Sequence, residues 1–334
     1  MVTIAKIAQE LGVSTSTVSK ALNGYSEISE KTRSKIMNLA TEMGYTPNAT
    51  AQSLVRKRAD TVGVVYEVEY GLKNLFFSSV LEAFRRNVQG RGYDILFLSD
   101  NGSGQDYLKH CISKNVDAVL VISTGTSVES VRKLINSDLA LMMFDPWYQS
   151  KNTIYTDSYN AIKKSCKYLY DLGHRKIAFL NGSYSNFIGR ERLKGYLDFI
   201  KEKNLEPYYI KNHSNESYSY DEGYKTMKNL FETYGLPDAV CTVSDLMAIG
   251  ALHYLQNHGY AVPDDVSIIG FDDLSICDIS TPKLTTMKQD IEAIGKQACD
   301  ALIDMLVQGH RTVKPIIVDA TIVVRDSCKK KSNH

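Results

Sequence analysis

The chain has 334 residues, 43% hydrophobic and 23% charged, a composition that describes a soluble globular protein and allows two or three domains. No apolar run reaches the ~18–20 residues needed to cross a bilayer, and Lys6, Gln9 and Glu10 interrupt the first apolar stretch, which excludes a secretory signal. The net charge of +1 hides an asymmetry: residues 1–58 carry eight basic and four acidic side chains, the remainder 31 basic and 34 acidic, so the first segment is suited to a polyanion.

In chain order, Thr3 predicts the cap of a helix whose Ile4, Ile7, Ala8 and Leu11 fall at helical spacing, and Gly12 ends it. Ser14 predicts the cap of a second helix, TSTVSKALN, with Val18, Ala21 and Leu22 inward. Ser29 precedes a third helix with Ile36, Leu39, Ala40 and Met43 inward, stopped by Gly44. Helix, tight turn, helix and supporting helix make a helix-turn-helix plan. The outward residues of the second helix are Thr15, Ser16, Thr17, Ser19 and Lys20, hydroxyls and one cation without a carboxylate. Such a helix suits a major groove, although the pattern alone also fits a three-helix domain that binds protein.

The next stretch, PNATAQSLVRKR, runs from Pro47 to Arg58 without a regular apolar face. Ala49, Ala51 and Ser53 permit a helix there, but one so short is unstable in water alone and is expected to order on a partner.

From Thr61 onward, β-branched runs alternate with amphipathic segments. The runs cover 62–68, 93–99, 116–123, 139–145, 176–182, 239–245 and 266–273; helices are expected at Phe76–Gln89, Tyr159–Leu172, Arg190–Lys203 and Leu246–His258. Continuous Val/Ile/Leu runs predict parallel strands buried on both faces, and the length of this part predicts two lobes. Ligands of such sheets bind beyond the carboxyl ends of the strands, where Asp145, Asn181, Ser244, Asp245, Asp272 and Asp273 gather. Asp245 and Asp273 are expected to cap the following helices, whereas Asp145 and Asp272 are candidate ligand groups. His174, in LGHRKIAFL, is expected to fix a turn. Six separated cysteines with no CxxC spacing argue against a zinc site and a disulfide framework, and no GxSxG, HExxH, GxGxxG or Walker motif is present. No enzyme, cofactor or metal is therefore expected.

The run TIAKIAQELGVSTSTVSKALNG…ISEKTRSKIMNLATEMGYTPNATAQSL resembles the head of the lactose-repressor/galactose-repressor family of bacterial transcription regulators. DLGHRKIAFLNG, GRERLKGYLDFI, LPDAV…SDLMAIGAL, VPDDVSIIGFDD and TPKLTTMKQD resemble the family's effector domain, in family order. The resemblance implies an all-α helix-turn-helix head (1–46), a hinge helix or linker (47–60) and a two-lobed α/β periplasmic-binding-protein-like effector domain (61–334), with lobe crossings near 157–160, 288–292 and 319–322. It implies that Thr15, Ser16 and Lys20 read bases, and that Ser14, Thr17, Ser19, Arg56 and Lys57 lie at phosphates. Asn48, Ala51, Gln52 and Leu54 would enter the minor groove, Leu54 as a wedge. Arg192, Ser244, Asp272 and Gln289 would hold an effector; Asp145, Trp147, Tyr218 and Phe77 are added as polar and aromatic walls, although each aromatic fits a core position equally well.

The function expected is that of a cytoplasmic homodimeric repressor of carbohydrate genes on a palindromic double-stranded operator, with no membrane association. A small sugar-like effector would switch it. The alternatives are a purine corepressor or a phosphoprotein partner in the effector's place, and a sugar-binding carrier protein.

Overall fold

The computed structural model describes residues 2–46, 58–67, 71–98, 106–123, 128–146, 151–184, 186–210 and 218–331. The chain forms two compact units, Met1–Asp60 and Thr61–His334.

In the first unit the three predicted caps act as read. The Thr3 hydroxyl accepts from the Lys6 N–H and opens α1 (Ile4–Leu11); Gly12, at φ 64°, ends it. Ser14 caps α2 (Thr15–Leu22) through the Thr17 N–H at 3.0 Å, and Ser29 caps α3 (Glu30–Glu42) through the Thr32 N–H at 3.3 Å. Ile7, Ala8, Val18, Ala21, Ile36 and Ala40 form the buried core, with Leu11, Leu22, Leu39 and Met43 packed around it. With so few large side chains inside, the caps carry a real share of this unit's stability, typically ~1 kcal/mol each.

The second unit opens with β1 (Thr61–Glu67), α4 (Leu75–Gly90), β2 (Asp94–Leu98), α5 (Tyr107–Ser113), β3 (Ala118–Ser123), α6 (Val128–Ile135), β4 (Ala140–Phe144) and β5 (Thr153–Thr156). It continues through α7 (Ser158–Asp171), β6 (Ile177–Leu180), α8 (Phe187–Glu202), α9 (Tyr220–Tyr234), β7 (Ala239–Thr242), α10 (Asp245–Asn257), β8 (Ser267–Asp272), α11 (Ile276–Ile279) and β9 (Thr285–Gln289). α12 (Ile291–Gln308), β10 (Ile316–Val318) and β11 (Ala320–Val323) complete it. The first lobe is a parallel sheet in the order β10-β5-β4-β3-β1-β2. The second is ordered β11-β9-β8-β7-β6, parallel except for the β9–β11 pair. A bridge from Tyr208 to Ala178 on the open side of β6 gives the two sheets the same plan.

The chain passes between lobes after β5, after β9 and between β10 and β11, at Asp157, Asp290 and Asp319. Asp157 and Asp290 each cap the helix that follows. α12 then packs Ile294, Ala298 and Leu302 against first-lobe strands, so the last long helix belongs to the lobe the chain had left.

The seven strands read from sequence are present, with ends that differ from the expected ones by at most three residues; β1 begins one residue earlier than expected. β5, β9, β10 and β11 are absent from the strands read from sequence. The two central omissions, TIYT and TTMKQ, are threonine-rich, yet Thr153, Thr156, Thr285 and Thr286 are almost completely buried. A buried threonine reads as polar in an apolar-run search, which hides a central strand.

Candidate functional site

The head presents α2 outward. Thr15 and Ser16 are exposed, while Thr17, Ser19 and Lys20 are half-buried. The Ser14 hydroxyl is committed twice, to the Thr17 N–H and to the Thr17 hydroxyl at 2.8 Å, so Ser14 and Thr17 form one fixed hydroxyl pair at the helix start. Lys20 donates to Glu27 at 2.5 Å. Asn48, Ala51, Gln52, Leu54, Arg56 and Lys57 lie outside the described residues, as does Trp147.

In the body, polar groups from both lobes converge at the carboxyl ends of the strands. Arg192, on α8, is only 5% exposed, which removes the reading of it as a surface charge. Its Nε donates to the Ser158 hydroxyl at 3.2 Å and its Nη1 to the Val243 carbonyl at 2.8 Å; the guanidinium lies over the Phe271 ring at 4.2 Å. Asp272, at the tip of β8 and 6% exposed, accepts from Gln289 Nε2 at 2.7 Å. Gln289, at the end of β9 and 1% exposed, also accepts from the Thr156 hydroxyl. Thr156 and Gln289 end the strands that lead into two of the lobe crossings, so one amide joins both crossings to the Asp272 carboxylate.

Asp145 follows β4 in the first lobe. Burial pushes its carboxyl up to about 6, against the pull of the Arg192 charge from the other lobe. Asp272 is driven well above the usual carboxylate range, first by burial and then by the Asp245 charge, with Arg192 opposing. Both carboxylates have positive backbone φ, 53° and 123°, a strain that persists where surrounding structure enforces it. Tyr218 stands 5.8 Å from the Arg192 guanidinium, hydrogen-bonds Asn186, and lies so close to Gly182 that a Cβ there would collide with its ring. Asp145, Arg192, Tyr218, Asp272 and Gln289 thus form one electrostatic group.

Other expected residues play different parts. The Ser244 hydroxyl caps α10 at the Met247 N–H and donates to the Tyr218 carbonyl at 2.9 Å, so it fixes the site's aromatic wall. Phe77 packs edge-on to Phe76 and to Phe144, the residue before Asp145, with ring centroids 5.3 and 5.9 Å away. Tyr220, two residues beyond Tyr218, bonds His253 instead. Asp245 and Asp273 do not cap helices. Asp245 is fully buried and accepts from the Thr286 hydroxyl at 2.5 Å and the Leu274 N–H at 2.7 Å; Asp273 pairs with Arg325 at 2.8 Å. His174 binds the Lys329 carbonyl at 3.0 Å and so holds the C-terminal segment as well as its own turn.

Thr156, Ser158, Asn186 and Phe271 were missed as site residues, being ordinary polar or apolar residues in sequence. Asn181, expected at a strand tip, is 1% exposed and its Oδ1 has no partner among the described residues. A cavity of about 520 Å³ lies elsewhere, lined by Lys288, Asp290, Gln297 and Asp319 among others, and shares none of the five converging groups. The depth of burial and the convergence of charges make the cleft the candidate ligand site. Among the described residues no helix is long and apolar enough to cross a membrane.

A helix-turn-helix head joined to a two-lobed body with a buried polar cleft defines a bacterial transcription regulator with a ligand-binding body. The chain belongs to the lacI family of bacterial regulatory proteins: that family's model matches residues 3–48, and a periplasmic binding protein-like domain matches residues 166–328. It is 30% identical to the HTH-type transcriptional repressor PurR of Vibrio campbellii over 99% of both chains. It is 29% identical to the ribose operon repressor of Haemophilus influenzae over 98% of each. The lac repressor dimer bound to operator and the anti-inducer ONPF shares the fold, with a TM-score of 0.83 at 23% identity, covering 98% of this chain and 99% of that one.

Proposed function

We propose that this protein is a cytoplasmic repressor that binds a palindromic operator as a homodimer and releases or tightens it when a neutral, polyhydroxylated small molecule enters the cleft. The observation that carries the effector assignment is the group formed by Asp145, Arg192, Asp272 and Gln289. Carboxylates accept from vicinal hydroxyls, a guanidinium donates to a ring or hydroxyl oxygen, and Tyr218 supplies an apolar face. Among the described residues the group holds one cation beside two carboxyl groups, a balance that disfavours a strongly anionic ligand. Relatives support the reading: one is named a ribose operon repressor, and a CelR–cellobiose complex shares the fold with a TM-score of 0.71. A purine corepressor is the second reading, favoured by similarity to PurR.

On the DNA side, Thr15, Ser16 and Lys20 read base edges, while Ser14, Thr17 and Ser19 sit against phosphates. Residues 47–60 form the hinge: Leu54 wedges the minor groove beside Asn48, Ala51 and Gln52, with Arg56 and Lys57 at phosphates. No catalytic step is assigned to any residue. Thermal-shift screening against sugars, sugar phosphates and purines tests the effector class. Neutral sugars should raise the melting temperature; stabilisation by purines alone would replace the first reading by the second.

A further inference from the structure

Glu27 lies in the turn between α2 and α3, outside every position assigned to DNA above. Its Oε2 is 2.5 Å from Lys20 Nζ. The turn is tied to the reading helix by its own backbone: the Tyr25 N–H donates to the Lys20 carbonyl at 3.0 Å, and Asn23 Nδ2 donates to the Ser19 carbonyl at 2.9 Å. From the other side, Arg33 on α3 donates to the Tyr25 carbonyl at 2.7 Å. Glu27 is therefore presented by an anchored loop, and it is the carboxylate that the outward face of α2 lacks. The hydrogen bond to Glu27, followed by its charge, also strengthens the hold of Lys20 on its proton.

A lysine is a point charge that pairs with any phosphate, and phosphate pairing drives binding to all sequences alike. Base-edge contacts carry the direct readout of sequence. An ammonium already matched by a carboxylate attracts phosphate less, and the carboxylate is itself repelled by the backbone. A guanine acceptor needs only one of the three N–H donors and leaves the Glu27 bond in place.

We propose that Glu27 is a specificity-determining positioning residue that acts through Lys20, withholding the ammonium from backbone phosphates and presenting it to a base edge. The proposal rests on the assignment of Lys20 to the reading face. It is tested with the full-length protein as wild type, Glu27→Gln, Lys20→Ala and the double variant. Each is titrated against a duplex enriched by the wild type from a random-sequence pool and against unselected duplex, over a range of salt.

Glu27→Gln should bind unselected duplex about two- to fivefold more tightly, the scale of an exposed ion pair, with a log–log salt slope steeper by about 1. The ratio of selected to unselected affinity should fall by a similar factor, and the substitution should leave that ratio unchanged in the Lys20→Ala background. Equal tightening on both duplexes, or the same change of ratio without Lys20, would overturn the proposal alone, since either outcome is a general charge effect. A wild-type ratio in Lys20→Ala would instead withdraw the reading role of Lys20, and the proposal with it.

Discussion

Asp272 concentrates the logic of the cleft. Its carboxyl group is buried and held by Gln289, with the Arg192 charge nearby, and in the proposed function it accepts hydrogen bonds from a ligand. Asp272→Asn keeps the size and the Gln289 contact but removes the group that can ionise when ligand hydroxyls donate to it. Calorimetry with an identified effector should show affinity lost by at least tenfold, the lower range for a hydrogen bond to a charged group, with operator affinity unchanged in the absence of effector. Undiminished effector binding would return Asp272 to a purely structural role. The cleft also has a pH signature. Asp145 is held at about 6, above its usual 3.8, so the neutral form is favoured in the folded protein. Its ionisation costs stability as pH rises from about 4 to 6; the penalty is complete above that window and absent below it. An effector whose hydroxyls donate to the ionised carboxylate lowers that pKa, so binding should release protons near pH 5.5 and weaken as pH falls below 6. Proton release as large at pH 7.5 as at 5.5, measured by calorimetry in buffers of different ionisation enthalpy, contradicts this role. Arg192 and Asp272 were legible because each sits in a motif with family meaning, RERLKG and GFDD. Thr156 and Ser158 were not: a hydroxyl in a β-branched or capping context has a sufficient local explanation, and only the folded chain puts Arg192 and Gln289 beside it.

At the scale of elements, the helix starts of the head were legible, because an N-cap is a local bond between residues three apart, whereas in the body the cap expected at Asp245 falls one residue earlier, at Ser244. Thr3, Ser14 and Ser29 all make theirs. Strands were legible where Val, Ile and Leu run together and illegible where buried threonine carries the strand. Helix contacts were also hidden in glycines. A Cβ on Gly250 of α10 would strike the Tyr220 carbonyl oxygen and the Tyr224 N–H of α9, and one on Gly223 would strike the Met247 backbone in return. The two helices therefore meet backbone to backbone; Ser244 caps one of them and Tyr218 lies two residues before the other. Gly250→Ala should destabilise the protein by ~1–3 kcal/mol, the range for overpacking a dense contact, read from urea denaturation with an unchanged m-value. A loss below ~0.5 kcal/mol would mean that the helices separate freely and do not set the wall.

At the scale of the whole molecule, two lobes of one plan are joined by three strand crossings, and Gln289 ties two of those crossings to the cleft. In the proposed function, a ligand that draws Asp145 of one lobe toward Arg192 and Asp272 of the other would change the relation of the lobes. Coupling between two such sites is reciprocal and typically amounts to ~1–3 kcal/mol, a roughly 5–150-fold change in affinity. Two-fold symmetry in the body would convert that change into a change in the spacing of two heads on a palindrome. The measurement that tests this most directly is titration of a selected operator duplex with the full-length protein, at fixed salt, with and without saturating effector. Operator affinity should shift at least fivefold, and Asp272→Asn should abolish the shift. An effector that binds the wild type by calorimetry yet leaves operator affinity unmoved would contradict it.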